Sequence, residues 1–153
     1  MKLIVLLLFT ASVTFGQTAR HRQRNKVRPV HTHPSSKTRS SELIRLTQKL
    51  RAHGATVALT KEKVRQPFFS MAGRIINING EPVQAFEYAT PSAAAADASR
   101  VSDDGNTIGT SKPTWMATPH FFKSGKVMVL YLGRNQTIVD LLRTVLSNQF
   151  AGG

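Results

Sequence analysis

The amino-acid sequence predicts an α+β domain: a mostly antiparallel sheet of about five strands with about three helices packed on one face. Three observations predict this class. An Asn-Gly pair at 79–80 separates two β-rich runs, apolar residues after position 135 recur at helical spacing, and segments follow as helix, strand, hairpin, helix, strand pair, helix. Strands joined by hairpins and flanked by helices are typical of α+β domains.

The first helix is predicted to begin at the pair Ser40-Ser41, which is followed by Glu42. A hydroxyl side chain caps the free N–H groups of a helix, and an acid is favoured in the first turn. Three leucines share one helical face: Leu43, Leu46 and Leu50. Gly54 is suited to end this helix in the left-handed conformation. Residues 55–59 then alternate as in a strand.

The clearest hairpin signal is Asn79-Gly80, between the runs 74–78 and 81–88. Both residues of such a tight turn need positive φ, which Asn and Gly tolerate. A two-residue loop would pair Ile76 with Val83, whereas a three-residue bulged loop would pair Ile76 with Gln84. Both faces carry apolar residues, so the hydrophobic pattern leaves the register open.

Thr90-Pro91 predicts the start of an alanine-rich second helix that extends to Val101, with Thr as cap and Pro in the first turn. Alanine favours helix but offers little side chain to bury, so this helix is expected to lie close against the sheet. A third strand region is predicted over residues 107–118, with a break at Pro113.

A second hairpin turn is predicted at Ser124-Gly125, and the apolar run 126–132 is expected to form the central strand. Asn135 is expected to cap the last helix, whose apolar residues follow the helical template closely. Those residues are Ile138, Leu141, Leu142, Val145 and Leu146. Phe150 is expected to anchor the tail.

Composition limits the classes of function. The chain has 153 residues, no Cys, and a formal net charge of +13. This length is typical of one domain, since domains usually run ~100–200 residues. Without Cys, disulfides, Cys-ligated zinc, iron–sulfur clusters and thiol nucleophiles are excluded. Neither a structural metal site nor another cofactor is predicted.

Residues 1–16 are predicted to be a cleavable secretory signal. Lys2 precedes an apolar run from Leu3 to Phe9, and small residues precede a cut after Gly16, with Ala19 as the second choice. The run is about half of the ~20 apolar residues that a spanning helix needs. We therefore expect export to the periplasm or the exterior, with no transmembrane segment once the signal is removed.

Residues 17–40 are predicted to form a basic disordered arm, followed by a single domain over residues 41–153. The arm holds seven Lys or Arg and no acid, and residues 41–153 have a net charge of +5. Five of these cations lie within nine residues: Arg20, Arg22, Arg24, Lys26 and Arg28. Such a segment either contacts a polyanion, namely an anionic envelope polymer or a membrane surface, or serves as a solvated linker. It contains no aromatic side chain on which bases could stack, so specific nucleic-acid binding is not expected.

No phosphate-binding glycine loop or serine-nucleophile motif is present in the sequence. The one histidine of the domain in an informative setting is His120, which shares a strand face with Phe122 and lies near Trp115. These three side chains are the candidate binding site, a small aromatic-lined pocket with an ionisable group. The alternative is a hydrogen-bonded histidine at a sheet edge beside core aromatics.

Four stretches together resemble a family of small exported bacterial proteins of unassigned function, many of them lipoprotein-like. They are INGEPVQAFEY (78–88), DGNTIGT (104–110), PHFFKSGKVMVLYLG (119–133) and LSNQFAG (146–152). The resemblance covers roughly residue 67 to the end, and it implies bacterial export and a single small domain. It brings no activity. Since this chain has no Cys to carry a lipid, the membrane anchor of lipoprotein-like members is not carried over.

Three functions fit these observations. The first is a non-enzymatic binding or envelope-associated protein with a polyanion-contacting arm. The second is a small secreted enzyme that uses His120 with a nearby acid. The third is a protein-interaction module with an exposed aromatic patch at Phe68-Phe69 or Phe121-Phe122. The sequence gives no basis for a particular ligand or oligomeric state.

Overall fold

A computed structural model of the protein describes residues 41–147 and 149–153. The predicted signal peptide (1–16) and basic arm (17–40) lie outside the described residues. Within the described part of the chain, no helix is long and apolar enough to cross a membrane.

Three helices and six strands make up the described fold. Their order is α1 (Glu42–Ala52), β1 (Val57–Val64), β2 (Gly73–Ile78), β3 (Glu81–Glu87), α2 (Pro91–Ala98), β4 (Pro119–Ser124), β5 (Val127–Leu132), α3 (Gln136–Leu146) and β6 (Gln149–Gly152). The strands form one sheet in the order β1-β2-β3-β5-β4-β6, and every neighbouring pair is antiparallel. The α+β class is confirmed, with one strand more than the expected five.

The helices lie on both faces of this sheet. Helices α1 and α3 pack on one face, against residues such as Ile76 and Val129. Helix α2 packs on the opposite face through Ala94 and Ala98, together with Phe86. The prediction that all helices share one face is therefore wrong for α2. The physical reason is that strands such as β5 are apolar on both sides, so each face needs a cover.

Helix α1 begins and ends as its sequence predicts. The Ser41 hydroxyl accepts a hydrogen bond from the Leu43 N–H at 3.2 Å, and Gly54 adopts φ +85° directly after the helix. The carboxylate of Glu87, at the end of β3, accepts hydrogen bonds from the Ser41 hydroxyl and from the Glu42 N–H. This long-range contact fixes the N-terminus of α1 at one end of the sheet.

The Asn79-Gly80 hairpin has a two-residue loop. Asn79 has φ +52° and Gly80 φ +89°, and Ile76 pairs with Val83, which settles the register that the sequence left open. The Asn79 side-chain oxygen also accepts a hydrogen bond from the Thr56 N–H at 2.9 Å. The turn therefore joins the hairpin to the segment that connects α1 and β1.

The segment 107–118 differs from its prediction. It contains only isolated bridges, Val101 with Ile108 and Ile108 with Ser111, and no strand. A continuous ladder is interrupted there because Pro113 has no N–H to donate. The fully buried Ile108 and the half-buried Trp115 nevertheless help cover the α2 face of the sheet.

The second half of the sheet follows its prediction more closely. Strand β5 is central, because it lies between β3 and β4. The hairpin turn occupies Gly125 and Lys126, one residue later than expected, since Ser124 pairs with Val127. Asn135 caps α3 by accepting a hydrogen bond from the Thr137 N–H at 3.0 Å. Phe150, expected only to anchor the tail, belongs to the sixth strand, which pairs with β4.

Candidate functional site

His120 lies in β4 and is only 8% exposed. Its imidazole stacks on the ring of Tyr131 from the neighbouring strand, with centroids 5.8 Å apart. The Nε2 atom lies 3.1 Å from the Gly133 carbonyl oxygen, and the Nδ1 atom lies 3.2 Å from the side-chain oxygen of Gln149. His120 therefore joins β4 to the end of β5 and to β6.

Both ring nitrogens of His120 face carbonyl oxygens. The Gln149 amide nitrogen donates to the Gly152 carbonyl, which turns the Gln149 oxygen toward the imidazole. A neutral imidazole has one N–H, so it donates to one of these oxygens, and the lone pair of its other nitrogen faces the second oxygen rather than a substrate. A general base needs such a lone pair within reach of the proton it removes. The geometry therefore does not favour the enzyme that the sequence allowed.

A groove of about 710 Å³ runs beside His120, between α3 and β6. Its polar lining consists of Asp103, His120, Gln136, Arg143 and Gln149. Arg143 forms an ion pair with Asp140 at 2.6 Å, and Gln136 donates to the same carboxylate at 2.9 Å. The groove is thus lined by the side-chain amides of Gln136 and Gln149. The Arg143 guanidinium that also lines it is already paired with a carboxylate.

The three residues predicted to form one pocket do not meet. His120 and Phe122 share the α1/α3 face, as expected from the alternation of β4, but Phe122 is fully buried in the core. Trp115 lies on the opposite face, edge-on to the rings of Phe68 and Phe121 at 5.8 and 6.0 Å. The prediction of a Trp115–His120–Phe122 pocket is therefore wrong, because the sheet separates Trp115 from the histidine.

The aromatic pairs proposed as an exposed patch are core residues. Phe68 and Phe69 are 6% and 4% exposed, and Phe121 and Phe122 are fully buried. The premise of the interaction-module hypothesis is therefore wrong for these four rings. The large apolar side chains that are exposed in the described residues are Ile44, Met71 and Met116.

A polar cluster at the N-terminus of α3 was not predicted. The Tyr131 hydroxyl and the Asn135 amide both donate to the carboxylate of Glu81, and the Asn135 N–H donates to the Tyr131 hydroxyl at 3.2 Å. The hydrogen bonds from the Tyr131 hydroxyl and the Asn135 side-chain amide lower the pKa of Glu81. Burial, followed by the bond to Glu81, raises the pKa of Tyr131. No local pattern links position 81 to positions 131 and 135, so sequence reasoning had no signal for this cluster.

A second unpredicted cluster surrounds Asp97 in α2, which is 5% exposed. Its carboxylate accepts hydrogen bonds from the Ser70 N–H at 2.8 Å, the Ser70 hydroxyl at 2.7 Å and the Tyr88 hydroxyl at 2.9 Å. Burial alone would raise the pKa of Asp97, but these bonds and the nearby Arg100 outweigh it, so the pKa is lowered. Burial, followed by Asp97, raises the pKa of Tyr88 well above its usual range.

The only sequence signal for this cluster was that a single acid interrupts the alanine run of α2. A lone acid between alanines is as typical of a solvent-exposed helix position as of a buried carboxylate. Neither polar cluster leaves an orphaned group, because every buried side-chain nitrogen or oxygen in the described residues has a hydrogen-bond partner. Among those residues, no three His, Asp or Glu side chains come close enough to hold a metal ion.

Comparisons with protein-family models, with curated proteins and with solved structures find no match. The resemblance to small exported bacterial proteins therefore stays a prediction. What the fold and the site define is a sheet covered on both faces, whose buried polar side chains join its elements to one another.

Proposed function

We propose that this chain is an exported, non-enzymatic protein that binds an anionic envelope polymer, with residues 17–40 as its principal contact. The observation that carries the proposal is that the acids of the described residues have partners within the chain far more often than the cations do. The described part of the chain contains thirteen Lys or Arg and eight Asp or Glu. Most of the acids bond to groups of the chain itself, whereas most of the cations have no carboxylate partner.

Six of the eight acids accept hydrogen bonds from side chains or N–H groups of the described residues: Glu42, Glu81, Glu87, Asp97, Asp104 and Asp140. Ion pairs, in contrast, involve only three of the thirteen cations in the described part, namely Arg45, Arg100 and Arg143. Residues 1–40 and residue 148 contain no acid that could pair with the other ten. Compensation for this charge must therefore come from outside the chain.

The basic arm, residues 17–40, increases this excess of unpaired positive charge. Its seven cations have no acid among them, and five lie between Arg20 and Arg28. Closely spaced cations attract a polymer of repeating anions by releasing its counterions, and this attraction weakens steeply as salt rises. The segment has no aromatic residue to stack on bases. An envelope polymer with repeating phosphate or carboxylate groups is therefore the partner class that fits best.

The test compares the chain from Gln17 onward with an arm variant in which Arg20, Arg22, Arg24, Lys26 and Arg28 are all changed to Gln. Binding to polyphosphate is measured over a range of salt concentrations. Each lost contact is expected to reduce the slope of log affinity against log salt by ~0.7, or ~3–4 for all five. An unchanged slope would refute the proposal.

A further inference from the structure

We infer that the folded domain carries a second contact for the same polymer, at one end of its sheet. This cationic end is defined by Lys61, Lys63, Arg65, Arg74, Lys123 and Lys126. The inference rests on the proposed function and names the surface that acts beside residues 17–40.

The strand register brings these cations to one end of the sheet. Val64 pairs with Gly73, Phe86 with Met128, and Met128 with Lys123, so the C-terminus of β1 and the β4–β5 turn lie at the same end. Four strand spacings of ~4.8 Å separate β1 from β4, which gives a width of ~20 Å. That width suits an extended polymer better than one small anion.

The cations of this end lack internal compensation. Lys63 lies directly opposite Arg74 on the neighbouring strand, and like charges in that position are destabilising. None of the six forms an ion pair with the described acids. Arg74 instead donates to the Thr60 carbonyl oxygen at 2.7 Å, within the irregular part of β1. A bound polyanion would relieve this repulsion.

Three acids belong to the same end, and two of them already have partners. Glu42 pairs with Arg45 at 2.9 Å, and Glu87 accepts hydrogen bonds from the start of α1. Glu62 is exposed within β1. The six cations therefore outnumber the acids, whereas Glu81, Asp103 and Asp104 belong to the turns and loops at the opposite end.

Protection of an exposed sheet edge does not explain the whole set. Lysines on an edge strand discourage pairing with other chains, and this accounts for Lys61 and Lys63 on β1. Arg74, however, lies on β2, inside the sheet. Lys126 occupies a turn. The cations therefore lie at one end of several strands and not only on the edge strand β1.

The point at which the basic arm joins the domain supports the same inference. Residues 17–40 join the domain at Ser41, and the Ser41 hydroxyl bonds to Glu87 at the C-terminus of β3. That strand terminus lies at the cationic end. A polymer held by residues 17–40 would therefore have the domain's unpaired cations next to the attachment point.

The test uses two variants of the chain from Gln17 onward, each changing one Lys and one Arg to Gln. The end variant is R65Q/K126Q, which spares Arg74 because of its bond to β1. The control variant is K112Q/R134Q, two exposed cations outside the cationic end. Both variants lower the net charge by the same amount. Equal melting temperatures establish that the two variants are folded alike.

Binding to polyphosphate over a range of salt concentrations is the readout. The end variant is expected to reduce the salt slope by ~1.4, from two lost contacts at ~0.7 each. The affinity should fall about tenfold or more at physiological salt, and the control variant should change it less than threefold. Equal effects of the two variants, or no effect of either, would overturn the inference.

The arm variant distinguishes this failure from failure of the proposed function. If the arm variant loses binding while the end and control variants behave alike, residues 17–40 act alone and only this inference fails. If the arm variant binds polyphosphate unchanged, the proposed function fails. Binding to anionic lipid vesicles without binding to polyphosphate would assign the cationic end to a membrane surface and overturn the polymer assignment.

Discussion

Asp97 is the one buried carboxylate among the described residues. Three donors from Ser70 and Tyr88 converge on it, so it joins α2 to the β1–β2 connection and to the end of β3. Hydrogen bonds to a charged group each contribute ~1.5–3 kcal/mol, and a buried donor left without its acceptor costs ~1–3 kcal/mol. A carboxylate placed this way therefore stabilises the fold rather than serving a substrate.

We expect Asp97→Asn to lower the free energy of unfolding at pH 7 by about 2–4 kcal/mol, measured by urea denaturation. The amide has one oxygen and directs an N–H₂ group toward donors. The exposed Asp140→Asn, with an exposed ion pair, is the control and should cost less than about 1 kcal/mol. Equal losses in the two variants would contradict the role given to Asp97.

The same carboxylate predicts a pH dependence. Its pKa is lower in the folded chain than the ~3.9 of an unfolded aspartate. The Asp97 contribution to stability is therefore complete above about pH 4–5 and is lost as the pH falls through the folded pKa. Between pH 5 and pH 2, the wild-type chain should lose more stability than Asp97→Asn, measured as urea midpoints across that range. Parallel curves would count against this assignment.

At the scale of elements, the short β6 is held from several sides. The Gly152 N–H donates to the Asp103 carbonyl at 2.8 Å, Ala151 pairs with Phe121, and Gln149 bonds to His120. Gly152 has φ +81°, and a Cβ added there would overlap the Pro119 carbonyl oxygen. The strand therefore depends on a glycine for both its backbone angle and its close approach to β4.

We expect Gly152→Ala to release β6 from β4 and to expose amides of this pair to hydrogen exchange. The control is Gly54→Ala, because Gly54 has a similar φ of +85° but open space around it. The control should cost about 1–2 kcal/mol for the left-handed angle alone. Gly152→Ala should cost more, because the backbone must also move, and comparable losses with intact β6 protection would refute the argument.

At the scale of the whole molecule, the fold has two hydrophobic clusters, one on each face of the sheet. Among the described residues, the members of the two clusters extend from Leu43 to Ala151. Burial of apolar surface is the dominant stabilising term in folding. We therefore expect residues 41–153 to fold as a stable domain by themselves.

We expect a chain that begins at Ser41 to melt within about 2 °C of a chain that begins at Gln17, in scanning calorimetry. A chain that begins at Leu46 is the control. It lacks the Ser41 cap, its contact with Glu87, and the buried Leu43, and it should melt at least about 5 °C lower. If removal of residues 17–40 alone lowered the melting temperature that far, the domain boundary would be wrong.

Much of the fold could be predicted wherever one residue type satisfies a local requirement. Asn79-Gly80 supplies two positive φ angles, Gly54 supplies one after α1, and Asn135 supplies an acceptor before α3. The candidate site could be predicted only in part. His120 and Phe122 share a strand face, as alternation along β4 predicts, but the partners of His120 are the Gly133 carbonyl and Gln149, which no spacing in the sequence indicates.

The sequence by itself determined the α+β class, the central position of residues 127–132 and the caps of the helices, because these follow from the chemistry of neighbouring residues. Only the tertiary structure decided which face α2 covers, that Trp115 and His120 lie on opposite sides of the sheet, and where the unpaired cations gather. Each of these depends on pairing between strands distant in sequence. Alternation along a strand fixes which residues share a face, but long-range pairing decides what packs on that face.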